Sequence, residues 1–144
     1  MSRIVKFVSI LLCCLMTAAC AGGAAVSSEF EKSVKSYNRM LRWKEIENAG
    51  MKYLELDQRE AFLATAEAIR KRDITITDYR ILFSEFSPKK NTGRAVVEFD
   101  YYILPSNRIK TVTYKQDWVY DKIDKEDDSD KKAWKLKNGL PDFD

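Results

Sequence analysis

The side chains here that could move a proton near neutral pH are carboxylates and tyrosines, because the chain has no histidine. Asp78 is followed by Tyr79, and Asp100 by Tyr101 and Tyr102. A carboxylate held in an apolar cavity can act as general base while a tyrosine hydroxyl donates to the oxyanion that forms. Asp100 lies in the run AVVEFDYYIL. The alternation of that run assigns Glu98 and Asp100 to a solvent face; the catalytic alternative would turn Asp100 into a cavity. A second set, Tyr114, Trp118 and Tyr120, alternates on one strand face. These aromatics could line an apolar ligand cavity, form a face for a partner, or pack as core. Without histidine, Ser-His-Asp and Cys-His nucleophile systems and the HExxH zinc site are excluded. The stretch Asp121–Lys132 holds six acids and four lysines but lacks the central glycine and ligand spacing of a calcium loop. It is expected to be a solvated hairpin loop. No motif for a metal or cofactor is present, and none is expected.

The elements that carry these residues begin with a distinctive N-terminus. Arg3 and Lys6 are basic, Phe7 to Met16 is apolar apart from Ser9, and Thr17, Ala18 and Ala19 are small. The run is shorter than the roughly 20 apolar residues of a membrane-spanning helix and has the flanks of a secretory signal. Cys20 follows directly. The segment Met16–Cys20, MTAAC, resembles the lipobox of bacterial lipoproteins, with Thr17 where that family usually has leucine. The resemblance implies a diacylglycerol thioether on Cys20, cleavage just before it and an acylated new amine. Residues 1–19 would then be a removed signal peptide, and residues 20–28 a lipidated cysteine with a flexible tether, since AGGAAVSS is small and uncharged. Cys13 and Cys14 would leave with the signal, so no intramolecular disulfide is available to the mature chain. Its partner is then the membrane, through the acyl chains on Cys20. No Asp follows Cys20, which in lipoproteins of enteric type implies the outer membrane, facing the periplasm. Removal of Arg3 and Lys6 with no acids lowers the net charge from +3 to +1, so nothing points to nucleic acid.

Residues 29–144 read as one α+β domain. Phe30, Val34, Tyr37 and Leu41 fall on one helical face, with Ser28 as its expected N-cap. The stripe then shifts to Trp43, Ile46 and Ala49, predicting a bend or a short second helix that stops near Gly50. Asp57 and Glu60 have the spacing of a capping box for a third helix. Its apolar face is expected to hold Ala61, Phe62, Ala64, Thr65, Ala68 and Ile69. After Asp73 the period becomes two. Ile74 and Ile76 alternate, then Tyr79, Ile81 and Phe83 on the opposite parity, so a β-bulge is expected at Thr77-Asp78. Strands through Ala95–Ile103, Ile109–Ile123 and Ala133–Lys137 follow, and Leu140 and Phe143 are expected to fold back on the body. Helices first and strands after give helices packed on a curved antiparallel sheet of about four strands.

The stretches YNRMLRWKE (Tyr37–Glu45), ITDYRI (Ile76–Ile81) and WKLKNGLPDF (Trp134–Phe143), in this order of elements, resemble the nuclear transport factor 2-like (cystatin-like) cone-shaped superfamily as carried by small envelope lipoproteins. The superfamily hosts enzymes, binders and assembly proteins, so the resemblance leaves the function open. Ketosteroid-isomerase-like members use a buried carboxylate, but no local motif here matches theirs residue by residue, so no role is carried over; a cavity that buries Asp100 or Asp78 beside a tyrosine hydroxyl would favour such an enzyme. Superfamily domains often dimerise through the sheet, so the resemblance makes a homodimer through the sheet one expected partner arrangement. The expectation is a non-catalytic binding or assembly role with an envelope protein partner. The alternatives are a hydrophobic-ligand carrier or an isomerase/dehydratase, with Tyr79, Asp100, Tyr114, Trp118 and Tyr120 as the candidate residues.

Overall fold

A computed structural model describes residues 2–123 and 131–144, with side chains from Gly22 onward. Three helices pack on one face of an open four-stranded antiparallel sheet, an α+β fold. The helices are α1 (Ser2–Arg42), α2 (Ile46–Tyr53) and α3 (Leu56–Lys71). The strands β1 (Ile74–Ser87), β2 (Thr92–Ile103), β3 (Ser106–Lys122) and β4 (Lys132–Leu136) pair in chain order.

The stripe of α1 does what its spacing demands. Phe30, Val34, Tyr37 and Leu41 are all buried against the sheet. The helix does not begin at Ser28, however. Residues 22–28 are already helical, and Ser28 is an exposed residue inside α1. The expected flexible tether is therefore part of the helix. Alanine strongly favours helix, and the turn is held from outside: Trp134 Nε1 donates to the Val26 carbonyl at 3.3 Å. The side chain of Cys20 lies outside the described residues.

At its far end α1 closes with paired backbone bonds, Lys44 N–H to the Leu41 carbonyl and Glu45 N–H to the Met40 carbonyl. That Schellman pattern needs a left-handed residue, and Lys44 supplies it at φ 63°. The reversal turns Trp43 out to 66% exposure, so it does not continue the core stripe. The Arg42 guanidinium lies 5.2 Å from its ring centroid. Gly50 does not stop α2. It is buried inside the helix because Phe62 of α3 presses on it. For α3 the N-cap is Glu55, with Asp57 in the first turn, so no capping box forms. Its buried face is Phe62, Ala66 and Ile69, while Ala64 and Ala68 are exposed.

The bulge expected at Thr77-Asp78 is present between Ile76 and Asp78. A second, between Ile81 and Phe83, was not expected. It reverses the parity again, leaving Phe83 46% exposed on the outer face and bringing Phe86 inward, 5.5 Å from Trp134. Each bulge adds local twist and bends β1. Phe143 folds back as expected, buried 4.9 Å from the Tyr101 ring.

Candidate functional site

The inner face of β3 carries Tyr114, Gln116 and Trp118, all buried. Trp118 is the centre of an aromatic cluster. Its ring meets Phe30, Tyr37 and Tyr53 edge-on at 6.4, 5.7 and 5.6 Å. Each polar atom in this layer has a partner. Tyr37 and Tyr114 hydroxyls lie 3.4 Å apart, and Tyr114 donates to the Gly139 carbonyl at 2.5 Å. Gln116 Nε2 donates to Asn38 Oδ1 at 2.7 Å, and Asn38 Nδ2 returns a bond to Gln116 Oε1 at 3.3 Å. Trp118 Nε1 also donates to Gln116 Oε1 at 3.3 Å. Burial drives both tyrosine pKa values up, so the hydroxyls stay neutral. The aromatic strip is thus the seam between α1 and the sheet, its side chains filling the space a ligand would need.

The carboxylate and tyrosine candidates separate for a geometric reason. Successive strand residues point to opposite faces. Asp100 lies on the outer face, where Arg80 clamps it through two bonds of 2.7 and 3.2 Å and Thr111 Oγ1 donates at 2.7 Å. Glu98 joins the same guanidinium at 3.2 Å. The Arg80 bonds, and then the Thr111 bond, hold the Asp100 carboxyl below its ordinary pKa. That is the opposite of the shift a general base in an apolar cavity needs. Tyr101 points inward and donates to the Asp144 carbonyl at 2.8 Å. Asp78 is exposed and accepts from the Tyr79 backbone N–H. Tyr79 is half-buried, with its hydroxyl 3.4 Å from the Lys35 carbonyl. Tyr102 is half-buried on the outer face. No carboxylate–tyrosine pair of the set meets in one cavity.

Tyr120 stands apart, half-buried with its ring 5.3 Å from Trp134. Burial and the nearby Glu29 charge raise its pKa. An open groove of about 670 Å³ lies between α1 and β4. The groove is lined by Glu29, Lys32, Lys35, Arg39, Lys52 and Lys135, with Ser33 and Ser36 between the α1 cations. Lys32, Lys35 and Arg39 share one helical face by their spacing. Lys52 comes from the end of α2 and lies 5.0 Å from the Tyr53 ring centroid. Lys135 is only 6% exposed, and its ammonium makes one long bond, 3.5 Å, to the Lys52 carbonyl. Burial lowers its pKa, and the Glu55 charge works against that shift. Lys32, Lys35 and Arg39 lie off the core stripe of α1, and no local spacing joins them to Lys52 and Lys135. A smaller cleft of about 210 Å³ opens between α2, α3 and β1 over Ile46, Ile69 and Ile74. Among the described residues no cluster of three or more His, Cys, Asp or Glu could hold a metal. Most of the acidic stretch Asp121–Lys132 lies outside the described residues. Among the described residues no helix is long and apolar enough to cross a membrane.

The class these observations define is an α+β domain with a closed aromatic core and an open basic groove. No family model and no curated protein matches the chain. Among solved structures it is similar to the crystal structure of the intermembrane space region of the chloroplast protein ARC6. The identity is 11%, the TM-score is 0.41, and the match covers 76% of this chain and 95% of that one.

Proposed function

We propose that this chain is a bacterial envelope lipoprotein, anchored through Cys20 and presenting a non-catalytic binding or accessory domain to the periplasm from the outer membrane. The observation that carries the binding role is the filled inner face of the sheet, where Tyr114, Gln116 and Trp118 are bonded to α1 and the C-terminal tail. A domain closed in this way works through its surface. The anchor rests on the signal-like residues 1–19 and on the lipobox resemblance of MTAAC. The helical course of α1 supports a short spacer in place of a coil. Val26 already packs against the core, about 9 Å along the helix from Cys20 at 1.5 Å per residue. Anchoring concentrates the domain at one surface, so weak contacts there suffice for function.

The test is Cys20→Ala in the native host, with membrane fractionation and metabolic labelling by an alkyne fatty acid. The wild type is expected in the membrane fraction carrying label, and the variant unlabelled and released from the lipoprotein pool. Equal membrane retention of both with no label on the wild type contradicts the anchor.

A further inference from the structure

We propose that the groove between α1 and β4 seats the phosphate-bearing headgroup of an anionic membrane lipid, an inference that rests on Cys20 being the membrane anchor. On the sheet's outer face Arg80 pairs with Asp100 and Glu98, and Arg94 with Asp117. Among the described residues Lys32, Lys35, Arg39 and Lys52 form no ion pair with a carboxylate. Among the described residues Glu29 is the one acid in the groove lining. The floor adds Lys135, a buried ammonium whose single hydrogen bond goes to a carbonyl at 3.5 Å. Serine hydroxyls at 33 and 36 stand between the cations. Several ammonium groups, a guanidinium and hydroxyl donors around one hollow suit a phosphate, which accepts charge-assisted bonds from many directions.

Position selects the lipid over other anions. The groove follows α1 from Glu29 to Arg39, and the same helix leads back to Cys20. At 1.5 Å per residue, its near end lies about 14 Å from Cys20 and Arg39 about 28 Å. A tilt of α1 brings the whole cationic face toward the headgroups. An anchored chain therefore holds this groove where lipid phosphates are most concentrated.

The experiment uses the mature chain, residues 20–144 with Cys20→Ser, which cannot be acylated, in co-sedimentation with phosphatidylcholine vesicles with and without phosphatidylglycerol. Binding is expected only when phosphatidylglycerol is present. Lys35→Gln with Arg39→Gln is expected to weaken it about tenfold or more. Lys89→Gln with Lys90→Gln, an equal charge loss on the β1–β2 hairpin, is expected to change it by less than about twofold. Equal losses from the two double variants overturn the proposal, as does equal binding to both vesicle types. Two further arms identify another ligand source. Soluble glycerol phosphate that raises the thermal midpoint while the vesicles fail to bind overturns the lipid in favour of a free phosphate ester. Poly-glutamate that binds more tightly than the vesicles overturns it in favour of an acidic peptide. Because the test chain carries no acyl group, a negative result leaves the anchor standing. An unacylated natural N-terminus would in turn leave the groove result standing.

Discussion

Asn38 of α1 and Gln116 of β3 exchange amide hydrogen bonds of 2.7 and 3.3 Å while both side chains are fully buried. The pair fixes the rotation and axial position of α1 on the sheet, because a slip in either breaks both bonds. Removal of one partner strands the other. Asn38→Leu is expected to cost about 1–3 kcal/mol in urea unfolding, since the Gln116 amide then loses a bond it cannot regain from water. Gln116→Leu is expected to cost at least as much, because Trp118 Nε1 loses its acceptor as well. The double variant is expected to cost clearly less than the sum of the two. Simple additivity would show that the amides do not interact.

Gly50 sets two opposing effects against each other. In an ordinary helix interior Gly→Ala gains about 1 kcal/mol. Here a Cβ would lie 2.6 Å from Phe62 Cδ1 and 2.7 Å from its Cε1. Phe62 is itself buried and cannot swing away freely. Overpacking of this kind costs about 1–3 kcal/mol, so Gly50→Ala is expected to lower the thermal midpoint. A raised midpoint would mean that α2 and α3 move apart at no cost.

Asp100 provides an acid-side test. Its pKa is depressed in the folded chain, so its contribution is present above the ordinary value of 3.8 and is lost as pH falls through the folded value. The difference in thermal midpoint between wild type and Asp100→Asn is therefore expected at neutral pH and should shrink below about pH 4. A difference independent of pH would place its cause in packing and leave no role for the Arg80 clamp.

Tyr37 and Tyr114 provide the alkaline counterpart. Both pKa values are raised by burial, so their stabilisation is complete below the ordinary value of 10.0 and is lost as pH rises above it. An ultraviolet titration of the folded chain is expected to leave these two tyrosines protonated above the ordinary value of 10.0, until unfolding releases them. Tyr114→Phe is expected to remove part of the alkaline loss. It should also cost about 1–3 kcal/mol at neutral pH, since the Gly139 carbonyl loses its donor. Ionisation of all tyrosines in one early step would contradict the buried seam.

Much of the fold is legible where a single element carries its own signal. The spacing of Phe30, Val34, Tyr37 and Leu41 marks the buried face of α1, and the parity change at Thr77-Asp78 marks the first bulge. The second bulge is hidden because Leu82 and Phe83 are both apolar, so the pattern stays unbroken when the parity reverses. The start of the helix is hidden because Ser28 is a good cap that the preceding alanines make unnecessary. The fates of Asp100 and Tyr114 could be narrowed by alternation, but their partners Arg80 and Tyr37 come from other elements. The basic groove was the least legible feature. Lys35, Lys52 and Lys135 meet only when β4 lies beside α1, and no local spacing records that.

The most direct measurement on the anchor is the intact mass of the chain purified from its native envelope, with fragmentation of its first residues. The account expects the sequence to begin at Cys20 with the mass of a diacylglycerol thioether and an amide-linked fatty acid. A chain that begins elsewhere, or a Cys20 that bears no acyl mass, would contradict it.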